Sequence, residues 1–419
     1  MTHADIISLL HREVVPAIGC TEPIAVALCV ARAKEQLGCE PESIVVSLSK
    51  NIYKNAMAVG IPNTGMVGLP IAIALGATVG KSEYQLEVLR DADKQAVDYA
   101  KEYMLRVPAE IKVNMSAPDV LWIEAKVSAQ GRSTKAIIQG SHTHFVDADS
   151  HTSARTSASN TDHREELSLK MVYDFATTVN TSDVAFLLDG AKMNKAAADT
   201  SFTGEYGHGL GRLLHSGKFE SVFGDTVFTH ILSYTCGACD ARMSGAMVQV
   251  MSNSGSGNQG VSCSVPVYIY ALEHHCSEEQ TLRALTLSNL TAIYIKQSLG
   301  RLSALCGCVV AATGSSCGIT YLMGGGYEEL TYAVKNMVAN ISGMICDGAK
   351  PGCALKVTAG VATAVLSASL AIEHSHADAI EGIVEQDIDR TIHNLTRIGH
   401  DGMTQTDDII LEIMTHKQN

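Results

Sequence analysis

The chain has 419 residues, with 31 Lys plus Arg against 44 Asp plus Glu and a formal net charge of −13. With no Lys/Arg-rich run of five or more residues, this balance excludes nucleic acid as the expected partner and a basic helix as a membrane anchor. At 46% hydrophobic and 18% charged residues the chain is globular, and its length exceeds the roughly 150 to 250 residues that one core usually serves.

The opening residues, MTHADIISLLHREV, carry acids and bases through what would be an apolar signal region, so no secretory signal and a cytoplasmic location are expected. Residues 4–15 and 22–37 have helical apolar spacing, while 44–50, 110–116, 120–127 and 134–140 are β-branched and partly alternating. Residues 150–163, SHTSARTSASNTDH, are small and polar without periodicity and read as a linker. From Glu165 onward helical patterns dominate, as in LSLKMVYDFATTV, RALTLSNLTAIYIKQSL, ELTYAVKNMVANISGMI and TAGVATAVLSASLAIEH. The expected class is therefore α+β: a mixed domain over 1–160 fused to a mainly helical domain over 161–419. The longest uncharged stretch, Leu302 to Tyr327, is interrupted by Gly, Ser, Thr and Cys and reads as buried protein, its helices packed through small side chains.

Five segments carry chemistry. In PAIGCTEPIAVAL, Cys20 stands at a predicted helix start with Glu22 and Pro23 in the first turn, where a thiol's pKa is lowered; it is a candidate ligand, nucleophile or base. KNAMAVGIPNTGMVGLP places Lys54 and Asn55 at the edge of an apolar region. GSHTHF puts His142 and His144 at a strand end, pointing the same way, for a metal or a carboxylate. SNSGSGNQG, with Ser254 and Asn258, has glycines that let backbone approach a ligand and lacks the Lys-Ser/Thr ending of a nucleotide P-loop, which favours a carboxylate.

The fifth segment is a set of thiols. RLSALCGCVVAATGSSCG supplies Cys306, Cys308 and Cys317, and GMICDGAKPGCALKV supplies Cys346 and Cys353 around a loop that could wrap a metal. Three thiolates suit an iron–sulfur cluster or zinc, although neither a ferredoxin nor a zinc-ribbon spacing is matched. The CGAC pair, Cys236 and Cys239, is a rival ligand set.

Taken in order, GCTEP, KNAMAVGIPNTGMVGLP, CDARMSGA, SNSGSGNQG, RLSALC and GMICDGAKPGC resemble the bacterial and archaeal L-cysteine desulfidase family, which is related to iron–sulfur L-serine dehydratases. The resemblance implies a [4Fe-4S] enzyme that converts L-cysteine to pyruvate, ammonia and sulfide without pyridoxal phosphate. It implies that Cys306, Cys346 and Cys353 hold three irons and that the fourth is open to substrate. Cys308 and Cys317 beside Cys306 depart from the family pattern and leave the identity of that ligand open. Cys20 falls where the dehydratases carry the His supposed to be the base, so it is the expected base, with a fourth cluster ligand as the other reading. The loop Ser254 to Asn258 would hold the substrate carboxylate, with Lys54, Asn55, His142 and Arg242 as further contacts. An L-serine dehydratase and a noncatalytic iron or redox sensor are the alternatives. The expected partner is a small amino-acid substrate, with neither nucleic acid nor membrane; assembly as a homodimer is left open.

Overall fold

The computed structural model describes residues 1–146, 167–300 and 302–417. Its first part contains α1 (His3–Glu13), β1 (Pro16–Ile18), α2 (Thr21–Leu37), β2 (Ser43–Ser49), α3 (Lys50–Ala56), α4 (Leu69–Thr78), α5 (Lys94–Arg106), β3 (Glu110–Asn114), β4 (Trp122–Ala129), β5 (Arg132–Gln139) and β6 (Phe145–Val146). The second part contains α6 (Leu169–Thr178), α7 (Phe186–Thr203), α8 (Leu210–His215), α9 (Glu220–Phe223), α10 (Val227–Met243), β7 (Gln249–Met251), α11 (Gly257–Glu273) and α12 (Glu278–Leu299). It continues through α13 (Gly307–Leu322), α14 (Tyr327–Ile341), α15 (Cys353–Ile372), α16 (Ile388–Arg397) and α17 (Thr404–Thr415). The class is α+β, and each helix and strand expected from periodicity is present within a few residues of its expected ends. The linker over 150–163 and the boundary near 160 lie outside the described residues.

Strands run in the order β3-β2-β4-β5-β6, with β2 and β3 parallel and the other pairs antiparallel. A parallel pair needs a crossover, and α3, α4 and α5 supply it. One face of the sheet is apolar because alternate residues fall on it: Ile44, Val46 and Leu48 of β2 lie opposite Val127, Ala125 and Ile123 of β4. Helix α2 covers that face and is itself covered by α4, which is why it is buried on nearly all sides. The crossing is close. A Cβ on Gly76 of α4 would stand 2.5 Å from the carbonyl oxygen of Ala27.

Two apolar cores result, one around α2 and the sheet, the other among the helices that follow. The second core also takes Ile6, Leu9, Leu10 and Val14 of α1, although α1 opens the segment read as the first domain. At its centre α13 is buried from Cys308 to Thr320, as the small-residue composition of Leu302–Tyr327 suggests. Its Gly314 and Gly318 face the carbonyls of Ser288 and Ala284 on α12 at distances, 2.3 and 2.8 Å from an ideal Cβ, that no side chain would tolerate. Helix α15 is long and apolar enough by length and composition to cross a membrane, but it packs one side against α10, α13 and α14, as a core helix does.

Two junctions join the parts. Strand β1 pairs antiparallel with β7, Pro16 opposite Met251 and Ile18 opposite Gln249, which fastens the α1–α2 connection to the α10–α11 connection. At the other end α17 packs on α3, where Asp407 pairs with the Lys54 ammonium and accepts from Asn51 Nδ2 at 3.0 Å, and Asp408 pairs with Lys50.

Candidate active site

Helix α3 and the segments that follow β1 and β7 meet at one cavity of about 110 Å³, lined by Cys20, Thr21, Glu22, Asn55, His142, Arg242, Ser254, Asn258, Gln259 and Lys296. The same cavity is lined on another side by Cys306, Cys308, Cys346 and Cys353. Of the residues singled out in the sequence, Lys54 is not in this wall. It is 2% exposed, its ammonium taken by Asp407 and by the Cys346 carbonyl at 3.3 Å, so it braces the thiol loop from outside the cavity wall.

Cys20 is the N-cap residue of α2 and is 3% exposed. Its S–H donates to Glu22 Oε2 at 3.2 Å. The helix start leads to the expectation of a lowered thiol pKa; the structure reverses it, because burial pushes the thiol well above its ordinary value and the Glu22 charge adds to that, against a smaller opposing pull from Arg242. Burial also opposes charge on Glu22, yet His142 and the hydrogen bonds from Cys20, from Thr21 Oγ1 at 3.0 Å and from its own backbone amide hold that carboxyl below the usual range. Glu22 Oε1 accepts from Asn55 Nδ2 at 3.2 Å and lies 3.9 Å from His142 Nε2. Cys20 and Glu22 thus form a thiol–carboxylate pair with one negative charge.

The expectation that His142 and His144 share a strand face fails. Strand β5 ends at Gln139, the chain turns, and His142 is buried at the cavity while His144 is exposed and its Nδ1 lies 3.0 Å from the Gln139 carbonyl.

Arg242, in the last turn of α10, is 2% exposed. Its Nη1 donates to Asn258 Oδ1 at 2.9 Å and its Nε has no partner. No carboxylate among the described residues pairs with it, so a buried cation faces the cavity in need of an anion. The SNSGSGNQG loop serves this arginine: a Cβ on Gly257 would stand 2.4 Å from Arg242 Nε. That glycine makes room for the guanidinium, where the sequence suggested room for ligand against backbone. Ser254 has a strained φ of 49° and donates its hydroxyl to Asn253 Oδ1 at 2.9 Å.

The thiols come from two chain segments joined by a short ladder: Cys306 N donates to Met344 O at 2.9 Å and Cys346 N to Ala304 O at 2.7 Å. Cys306 caps α13 and Cys353 opens α15. Gly348, at φ 88°, passes so close to Lys54 that a Cβ would stand 2.4 Å from its carbonyl oxygen. Cys308 Sγ lies 3.3 Å from Cys306 Sγ and 3.0 Å from Met344 Sδ. Cys317 is fully buried within α13, and Cys236 and Cys239 are fully buried on α10; none of the three is in the cavity wall. Among the described residues no group of three or more His, Cys, Asp or Glu converges tightly enough for a single metal ion. A cubane cluster asks for something else, separate thiols facing one shared space from several sides, and Cys306, Cys346 and Cys353 meet that condition. Hydrogen bonding with Cys308 raises the Cys306 thiol, hydrogen bonding with Cys306 raises Cys346, and burial raises Cys353. These are thiols that stay neutral until a cation compensates them.

The serine dehydratase alpha chain family matches residues 83–412. The chain belongs to that family. Its members are in general iron–sulfur-dependent lyases. This chain is also similar along its length to proteins named UPF0597: 60% identical to one from Phocaeicola vulgatus over 421 residues, covering 99% of this chain and 98% of that one. A Bacteroides thetaiotaomicron relative is 57% identical over 419 residues, with the same coverage. One from Porphyromonas gingivalis is 49% identical over 429 residues, covering 100% of this chain and 99% of that one. As a serine dehydratase family member, the chain is a lyase-type enzyme. Of the residues in the cavity wall, the sequence reading passed over Thr21, Glu22, Gln259 and Lys296. Thr21 and Glu22 are inside GCTEP, where the only signal was an acid two residues from a thiol, and Gln259 belongs to the polar run that opens α11.

Proposed function

We propose that this protein is a [4Fe-4S]-dependent L-cysteine desulfidase, releasing pyruvate, ammonia and hydrogen sulfide by α,β-elimination. The observation that supports it is the meeting, in one cavity, of an unpaired buried cation, a thiol–carboxylate pair and three separate thiols. Arg242 binds the α-carboxylate, with Asn258 keeping the guanidinium in place. Cys306, Cys346 and Cys353 would hold the cluster, which when bound supplies a Lewis acid for the leaving group. Cys20 hands its proton to Glu22 Oε2, along the hydrogen bond already present, and the thiolate so formed takes the Cα proton. The electron pair left on Cα forms the Cα–Cβ double bond as the β-substituent departs, and Glu22 returns a proton to that leaving group. The pair ends as it began, Cys20 a thiol and Glu22 a carboxylate. The aminoacrylate released tautomerises and hydrolyses to pyruvate and ammonia.

The sequence motifs support sulfur as the leaving atom. The family match favours a second reading, dehydration of L-serine in the same cavity. Anaerobic reconstitution with iron and sulfide, followed by pyruvate and sulfide assays on both amino acids, tests the two. Pyruvate with stoichiometric sulfide from L-cysteine is expected; pyruvate from L-serine alone establishes the second reading, and pyruvate from neither refutes both. Replacing Cys306, Cys346 or Cys353 by Ser should remove the cluster's broad absorption near roughly 400 nm, while the Cys236/Cys239 double Ser variant should retain it.

A further inference from the structure

The cavity has two acceptor atoms that nothing among the described residues satisfies. Asn55 Oδ1 and Gln259 Oε1 are both buried without a hydrogen-bond partner, in side chains 8% and 4% exposed, and both residues line the cavity that Arg242 enters. Neither can be relieved by turning the amide over. Asn55 presents its Nδ2 to the Glu22 carboxylate at 3.2 Å, and Gln259 presents its Nε2 to the Asn253 carbonyl at 3.5 Å, so the donor end of each is directed at an acceptor and the oxygen is left for the cavity. A buried acceptor left unmatched costs free energy, and native structures keep few of them.

We infer that Asn55 and Gln259 form a subsite for the α-ammonium group of the substrate, in the cavity that Arg242 enters, and that this subsite makes the enzyme select α-amino acids over 2-hydroxy acids. The count of donors decides between the two classes. Two acceptors need two donors; an ammonium group has three, whereas a hydroxyl has one and leaves the second oxygen unmatched. The ionised Glu22 carboxylate behind Asn55 favours a positive group over a neutral one at the same place. Arg242, with its free Nε, takes the other end of a zwitterion. The two carboxamides are uncharged, so they repel neither the carboxylate nor the thiolates beside them. The inference rests on the proposal that this cavity binds an amino acid, and it names the atoms that distinguish one.

L-Alanine and L-lactate test it, since they differ only at this group and lack a β-leaving group, so that binding is read without turnover. By calorimetry on the anaerobically reconstituted holoenzyme, L-alanine should bind roughly tenfold or more tightly than L-lactate. Gln259→Leu, with wild-type iron content, should bring the two affinities to within about threefold, through weaker L-alanine binding. Gln259→Glu should restore the preference for L-alanine, which a purely structural glutamine would not do. Equal affinities in the wild type, no binding of L-alanine, or a preference unchanged in Gln259→Leu would each overturn the inference. Should Gln259→Leu fail to fold, loss of the preference in Gln259→Glu overturns it equally. An ammonium preference without pyruvate from cysteine or serine refutes the proposed activity and leaves the subsite standing; pyruvate formation without the preference does the reverse.

Discussion

Cys20 is held as a thiol against an ionised Glu22, an arrangement opposite to the one that a helix N-terminus alone would produce. Burial and the neighbouring carboxylate outweigh the partial charges of the helix end, which act only over the first turn. The consequence for catalysis is that the base is the pair and not the sulfur alone. Cys20→Ser keeps a hydroxyl for Glu22 and should retain iron and bound amino acid, yet lose turnover by a factor on the order of 10² to 10⁴, together with solvent deuterium exchange at the substrate Cα. Wild-type turnover in that variant would remove Cys20 from the mechanism, and lost iron would make it a ligand. Glu22→Gln separates the two partners. With the charge removed, the Cys20 thiol should ionise more readily, so its alkylation, followed peptide by peptide, shifts to lower pH while turnover falls. Unfolding would also expose the thiol and lower the rate, so the shift counts only in a variant that keeps the wild-type unfolding midpoint and iron content.

Among the elements, the loop between Cys346 and Cys353 is shaped by charge. Asp347 pairs with Lys350 at 2.5 Å and also with Lys356, and Lys356 Nζ donates to the Ile345 carbonyl at 2.9 Å. Burial works against the Asp347 carboxylate, but the two lysines outweigh it and bring the group down to about 2. Its folded-state value lies below the ordinary aspartate value of about 3.9, so the stabilisation is fully present above that pH and is lost as pH falls through about 2. Urea unfolding of wild type and Asp347→Asn should therefore show a difference in midpoint that is constant from about pH 5 to 7 and shrinks toward pH 2. A difference that grows on acidification would contradict the assignment. The spacing CDGAKPGC reveals a loop with Gly and Pro turns; that Lys54, almost three hundred residues away in sequence, supports it from beneath is visible only once α3 is folded against it.

For the whole molecule, closure depends on α17 returning to α3. Lys54 and Asp407 are a buried ion pair, with side chains 2% and 11% exposed. Removing one member leaves the other as an uncompensated charge, so Asp407→Ala should destabilise the fold by about 3 to 5 kcal/mol. The double variant Lys54→Met/Asp407→Leu should recover most of that loss in chemical denaturation, because a well-packed apolar pair of similar volume carries no desolvation penalty. Equal loss in both would mean that the cost does not come from the charge left unpaired. The same two junctions, β1 with β7 and α17 with α3, bring segments near residues 20, 55, 250 and 350 to one cavity.

What the sequence determined by itself was local: helices and strands with clear apolar period, the mixed sheet region followed by helices, the small-residue helix at the centre, and the segments rich in Cys, Gly and His. Period and turn chemistry act over a few residues, and no distant contact reverses them in these elements. Tertiary structure decided the rest. Lys54 and His144 have the residue types of a binding site, yet one is paired beneath the thiol loop and the other faces solvent. Glu22 resembles an ordinary first-turn acid and Gln259 an ordinary polar loop residue, yet both are buried at the cavity. Whether a charged or amide side chain serves a ligand depends on whether its hydrogen bonds are already satisfied, and that is fixed by partners from elsewhere in the chain, which spacing does not record.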